Sequence, residues 1–202
     1  MTEKYPSDSA SMIAGSIAPP LPRTWWIEPG YILGGPFPGN ADGSVNNGKL
    51  QTLFECGIRV FVNLQEPHEK GRNGMLFPDY EPELNRLATA AGQAIEVRRF
   101  PIVDTYIPTI EQMQAIQAYL RQQRAVNKKV FVHCWGGNGR TGTVAACWMA
   151  AEGLSLHEIL DTIKQRRAWD SHLAHRHSPE TGRQVDFVRA WVRSVACRPR
   201  HQ

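Results

Sequence analysis

Residues Val130–Thr143 read VFVHCWGGNGRTGT, and the rest of the chain can be arranged around them. Val130, Phe131 and Val132 are β-branched or aromatic and predict a short buried strand ending near His133. Gly136, Gly137 and Gly139 break that strand, and an Ala-rich segment carrying Val144 to Ala151 predicts a helix. A loop between a strand and a helix N-terminus turns successive backbone N–H groups toward one point, which suits a tetrahedral dianion. The glycines permit the close backbone approach that such a cradle needs. Cys134 then lies near the positive helix end and near Arg140, and both favour the thiolate over the thiol. A thiolate beneath a bound phosphate is an in-line nucleophile. Arg140 can grip two phosphate oxygens with a planar fork that a Lys does not reproduce. Trp135, Gly136, Gly137, Asn138 and Gly139 would wall the cradle. Thr141 can offer its hydroxyl to the sulfur, and His133 is placed to order the loop rather than to attack. A buried Cys beside a Gly-rich turn is most often just a small apolar residue. Five specified residues in a strand–loop–helix context outweigh that plain reading.

Working outward, Trp25–Ile27 and Tyr31–Leu33 predict two short strands around the turn Glu28-Pro29-Gly30. Lys49–Cys56 predicts a helix stopped by Gly57, and Arg59–Leu64 a strand apolar on both faces. Gln65–Tyr80 is polar and Gly/Pro-rich, a loop of functional size. Pro82–Ala91 predicts a helix, Ile95–Arg99 a strand, and Phe100–Pro108 a loop with a lone acid, Asp104. Thr109 and Gln112 frame a capping box for a helix to about Ala125; Ser155 and Glu158 frame another. Trp169–His177 reads as a His-rich loop, and Ser178-Pro179 as the N-cap and first-turn Pro of a last helix. Strands alternating with helices imply an α/β fold: a central mixed or parallel sheet of about four to five strands flanked by helices. The boundaries expected are a flexible arm over 1–23, one domain over 24–195 and a basic tail over 196–202.

Composition agrees with one packed domain: 42% of the 202 residues are hydrophobic and 21% charged. A net charge of +4 suits phosphorylated or acidic substrates and is too weak to demand nucleic acid. The basic excess after Lys164 reads first as a solvated helical face. Cys56, Cys134, Cys147 and Cys197 show no CxxC spacing, so reduced thiols and a cytoplasmic setting are expected. No run approaches the length of a membrane span. His172, His175 and His177 make a weak metal pattern, better read as a solvated loop. Neither metal nor cofactor is expected, and oligomeric state is left open.

His133-Cys134-x5-Arg140-Thr141 resembles the signature of the cysteine-dependent protein tyrosine phosphatases, in a chain whose length is similar to the compact dual-specificity branch. Phe100-Pro-Ile-Val-Asp104 with Pro108 resembles that branch's general-acid loop. Val62-Asn-Leu-Gln-Glu-Pro67 and Leu33-Gly-Gly-Pro-Phe-Pro-Gly39 look like further family landmarks. The resemblance implies hydrolysis of phosphoprotein monoesters through a phosphocysteine, with Asp104 as acid and then base. Glu180-Thr-Gly-Arg-Gln184 resembles the Gln-containing segment before the last helix, so Gln184 is either a water-positioning residue or a surface one. Glu66 is placed to contact the loop Arg or substrate, or to be a plain strand-end acid. An inositol phosphate or phosphoinositide substrate is the nearest alternative, although the neutral loop residues Trp135–Asn138 speak against a highly charged head group. From other classes, a phosphoprotein-binding module conflicts with intact Cys134, Arg140 and Asp104, and a rhodanese-type sulfurtransferase with the His133 and Arg140-Thr141-Gly142 flanks.

Overall fold

The computed structural model describes residues 17–40, 47–71 and 73–196. Its sheet has five strands: β1 (Trp25–Glu28), β2 (Ile32–Gly35), β3 (Ile58–Asn63), β4 (Glu96–Arg99) and β5 (Lys129–His133). Their spatial order is β1-β2-β5-β3-β4, with β1 antiparallel to β2 and every other pair parallel. β5 is therefore the central strand, as its apolar run implies. A strand bonded on both edges and covered on both faces has no polar face to show.

Helices α1 (Asn47–Glu55) and α2 (Glu81–Ala90) cover one face of the sheet. Helices α3 (Ile110–Ala125), α4 (Gly139–Ala150), α5 (Leu156–Arg167) and α7 (Gly182–Ala196) pack on the other, with a single-turn α6 (Ser171–Ala174) between the last two. All twelve residues of α4 are buried. Its small residues Gly142, Ala145 and Ala146 let it lie within the packing rather than on it.

The period of two along β5 separates neighbours onto different faces. Val130, Val132 and Cys134 belong to the core shared with α4, whereas Phe131 belongs to the core under α1 and α2. His133 follows Phe131, its ring stacked on that ring at 5.5 Å. The signature's adjacent His and Cys thus serve different sides of the sheet.

Local chemistry sets several boundaries. Ser155 and Glu158 form the complete capping box expected of them. At α3 only half forms: Thr109 accepts from the Gln112 N–H, but the Gln112 side chain reaches Pro101 O instead. The His-rich loop contains α6, capped by Asp170, whose carboxylate accepts from His172 N, Leu173 N and Arg23 N. Ser178-Pro179 does not open the last helix, which begins at Gly182. Ser178 is instead drawn against α4, where its hydroxyl donates to Asn138 O at 2.8 Å. α4 likewise begins at Gly139, so the end of the glycine loop is already its first turn. Of the arm expected over 1–23, residues 1–16 lie outside the described residues, as do 197–202 and with them Cys197. Leu21 packs against the core under α1 and α2.

Candidate active site

The loop Cys134–Arg140 leaves the C-terminal end of β5 between two fixed points. Gly137 has φ +74, and a Cβ there would stand 2.5 Å from the Gly35 carbonyl carbon, so this position needs glycine twice over. Trp135 O accepts from Phe37 N at 3.0 Å, tying the loop to the segment after β2. Cys134 is buried, and its sulfur receives the Gly137 N–H at 3.3 Å and the Thr141 hydroxyl at 3.2 Å. Both donors point at the sulfur from the turn that follows it.

His133 supports the loop from behind. Nδ1 lies 3.3 Å from Cys134 O and Nε2 lies 2.7 Å from the Tyr80 hydroxyl. A carbonyl only accepts, so Nδ1 carries the proton and Nε2 accepts from Tyr80. Burial pushes the His133 pKa down to about 3 and the Tyr80 pKa up, so the pair is a neutral imidazole and a protonated phenol.

Arg140 is fully buried and surrounded by acceptors. Nη1 donates to Glu69 Oε2 at 2.6 Å and to Ile102 O at 3.0 Å; Nη2 donates to Glu69 Oε1 at 2.8 Å. Asp104 Oδ1 stands 2.8 Å from the same Nη2. Burial opposes the guanidinium charge, but Glu69, Cys134 and Asp104 outweigh it and raise the pKa. Burial also pushes the Glu69 carboxyl up, and Arg140, with Gln65 and the Glu66 N–H, more than reverses this, leaving it below the usual carboxylate range. Among the described residues Arg140 Nε has no hydrogen-bond partner. The acid holding Arg140 from the 65–80 loop is thus Glu69 rather than Glu66. Two acids three residues apart, just past a strand that ends beside the Cys loop, were the available signal. Contiguous sequence does not rank one above the other.

Asn138 is also held from below. Its side-chain oxygen accepts from Arg167 Nη2, whose Nη1 reaches Arg176 O at 3.2 Å. Arg167 is buried, and burial together with nearby Arg176 lowers its pKa to about 10. In the sequence it sat inside the basic run read as a solvated face. Gln184, also buried, lies at the start of α7 against Gly139, and its Nε2 donates to Tyr106 O at 3.0 Å.

Cys134, Trp135, Gly136, Asn138, Gly139 and Asp104 border one cavity of about 590 Å³. Phe37 and Phe77 add aromatic wall, with Phe77 centred 6.1 Å from Trp135. Arg23, Lys49 and Arg176 bring cations to it, and Glu180 an acid. No group of three or more His, Cys, Asp or Glu among the described residues could hold a metal ion, the 172–177 histidines included. No helix among them is long and apolar enough to cross a membrane.

The family model described as the DSP-PTPase phosphatase domain of Swiss Army Knife proteins matches residues 21–193. The chain belongs to that family. It is thereby a member of the cysteine-based, dual-specificity-like phosphatases. The chain is 44% identical over 54 residues to an uncharacterised protein of Methanocaldococcus jannaschii; the match covers 27% of this chain and 34% of that one. The chain thus spans about a third of the length of this curated relative. Among solved structures, the active form of Tk-PTP superposes with a TM-score of 0.65 at 25% identity, covering 85% of this chain and 97% of that one. PTPMT1 in complex with PI(5)P gives 0.64 at 17% identity, covering 86% and 97%, a likeness of fold alone.

Proposed function

We propose that this phosphatase-family chain hydrolyses phosphate monoesters of phosphoproteins, aryl esters foremost, through a phosphocysteine. The observation carrying this is that Cys134, with two donors aimed at its sulfur, and Asp104 border one cavity. The thiolate attacks phosphorus in line, forming the S–P bond as the bond to the leaving oxygen breaks. Asp104, protonated, delivers its proton to that oxygen. Arg140 and the loop amides hold the equatorial oxygens. Because the loop is fixed beforehand, this electrostatic preorganisation supplies most of the acceleration. Water then attacks phosphorus, Asp104 takes its proton, and the S–P bond breaks to return the thiolate. The Thr141 hydroxyl steadies the departing sulfur.

Phe37, Phe77 and Trp135 favour an aryl phosphate, because they offer flat apolar walls to a phenyl ring. Arg23, Lys49 and Arg176 on the same cavity favour a second reading, an inositol phosphate or phosphoinositide. A panel of phosphotyrosine, phosphoserine and phosphothreonine peptides and inositol phosphates, compared by kcat/KM, separates the two. The phosphotyrosine peptides are expected to lead by at least tenfold. An inositol phosphate leading by that margin would reverse the order. Persulfide transfer without phosphate release would remove the phosphatase reading altogether.

A further inference from the structure

Gln184 sits where three parts of the molecule meet. It belongs to the first turn of α7 and is 0% exposed. Its Oε1 accepts from Glu180 N and from Thr181 N, both at 3.1 Å, satisfying donors that a helix start would otherwise leave open. Its Nε2 donates to Tyr106 O at 3.0 Å, two residues beyond Asp104. A Cβ on Gly139 would come within 3.0 Å of both amide heteroatoms, so the amide also lies against the first residue of α4. Two N–H groups on one side and a carbonyl on the other admit only one orientation of the amide.

A side-chain oxygen that orders a nucleophilic water by accepting from it needs a free lone pair. The two lone pairs of Gln184 Oε1 are already taken by Glu180 N and Thr181 N. What the amide does have is a grip on the acid loop. That loop needs one: Val103, Thr105, Tyr106 and Ile107 are all exposed. Its upstream end is fixed by Ile102 N to Leu64 O at 3.0 Å and by Arg140 Nη1 to Ile102 O. Beyond Asp104 the ties run to the start of α7. These are the Gln184 bond, Thr181 Oγ1 to Thr105 O at 3.4 Å, and Arg183 lying 4.3 Å over the Tyr106 ring. Of these only the Gln184 bond is buried at its α7 end.

Asp104 is itself held by Arg140 at 2.8 Å, with Glu69 on the same guanidinium. A phosphate dianion competes for that guanidinium. When it binds, Asp104 gives up its ion pair in the step where its carboxyl must stay over the leaving oxygen. We infer that Gln184 is the positioning residue that then keeps the acid loop closed, acting on the leaving group through Asp104 and not on the water of the second step. The inference rests on the phosphatase reading above.

Gln184→Glu separates the two sides of the amide. A carboxylate still accepts from Glu180 N and Thr181 N, but it turns an acceptor toward Tyr106 O. Gln184→Met removes both sides and serves as a second variant. The kinetic experiment compares kcat and kcat/KM across pH for aryl phosphates with good and poor leaving groups, alone and in an Asp104→Asn background. The expected loss is roughly 10–100-fold in kcat for phenyl phosphate, with a flattened alkaline limb. For p-nitrophenyl phosphate, whose leaving group needs little protonation, it is expected to stay below about threefold. With Asp104→Asn already present, Gln184→Glu should add nothing, because residues acting as one unit are not additive.

Hydrogen exchange over residues 102–109 of the otherwise unaltered chain supplies a readout independent of turnover, and both variants should exchange faster there. Equal losses for every leaving group, persisting with Asp104→Asn and preceded by a burst of p-nitrophenol, would overturn the inference and assign Gln184 to phosphocysteine hydrolysis. Unchanged exchange over 102–109 would overturn it as well. Should the unaltered chain release no phosphate from any monoester, the phosphatase reading fails by itself, and the exchange measurement still decides whether Gln184 holds the loop.

Discussion

From Cys134 to Arg140 no residue is exposed, whereas four of the five residues from Val103 to Ile107 are. The two loops meet at one guanidinium, 2.8 Å from Asp104, yet they are built in opposite ways. The phosphate loop is fixed by contacts that glycine alone allows, by His133 and Tyr80 behind it and by Arg167 beneath it. The acid loop turns Val103, Tyr106 and Ile107 outward and is held through backbone atoms at Ile102 and Tyr106 and through the Asp104 carboxylate between them. The difference suits the proposed chemistry. A charge-stabilising cradle works only if its donors are placed before the reaction. An acid that gives a proton and then takes one must sit over a group that changes between the steps.

Removal of the proposed nucleophile with the cradle left in place tests the rigid loop most severely. Cys134→Ser is expected to lower kcat toward p-nitrophenyl phosphate by at least about 10⁴-fold while phosphate binding, read by calorimetry, persists. Full activity would dismiss Cys134 as the nucleophile. Loss of phosphate binding would show that the cradle depends on its sulfur and is not preformed. Asp104→Asn comes next, with an expected drop in kcat toward phenyl phosphate of roughly 10²–10³-fold and a flattened acidic-to-neutral pH profile. An unchanged profile would take Asp104 out of the mechanism.

The same contrast explains what was legible in the sequence. His133, Cys134, Gly139, Arg140 and Thr141 lie within nine residues, so local spacing carries the whole cradle. Asp104 lies in a different segment, but prolines before and after it and the helix start at Thr109 mark its loop. Glu69 and Arg167 were not legible as partners of the loop, because their roles exist only after β3 and α5 are packed beside it. An acid in a polar loop and an arginine in a basic run have the sequence appearance of solvent-exposed residues. The central strand and the flanking helices were readable from apolar periods. The true start of α7 was not, because Ser178 answers to Asn138 across the fold rather than to its own helix.

Glu69 joins the two loops through Arg140 and gives the third test. Glu69→Gln keeps the shape but removes the buried countercharge, with an expected loss of about 3 kcal/mol in urea unfolding at pH 7. The sign with pH is fixed by the lowered carboxyl pKa. The stabilisation is present above the unfolded carboxyl value of about 4.3 and lost as pH falls through the folded value. The gap between Glu69→Gln and the unaltered chain should therefore close toward strongly acidic pH. A gap that stays constant would mean that Glu69 contributes shape and not charge.

The smallest expected effect probes the rigid side alone. His133 is held neutral down to about pH 3 by burial, whereas an unfolded chain protonates this ring near pH 6.5. The unfolded state therefore binds the extra proton between these values. This group's contribution is fully present above about pH 6.5 and falls by roughly 1.4 kcal/mol for each pH unit below it. His133→Gln should be less stable than the unaltered chain at pH 7, and the difference should shrink by about 2 kcal/mol by pH 5. Urea unfolding of both proteins at the two pH values measures it. If the difference instead held constant to pH 5, the ring would be gaining its proton in the folded state too. Tyr80 O–H and a charged imidazole would then both be donors facing one another. The neutral support behind Cys134, on which the contrast between the fixed and the latched loop depends, would have to be redrawn.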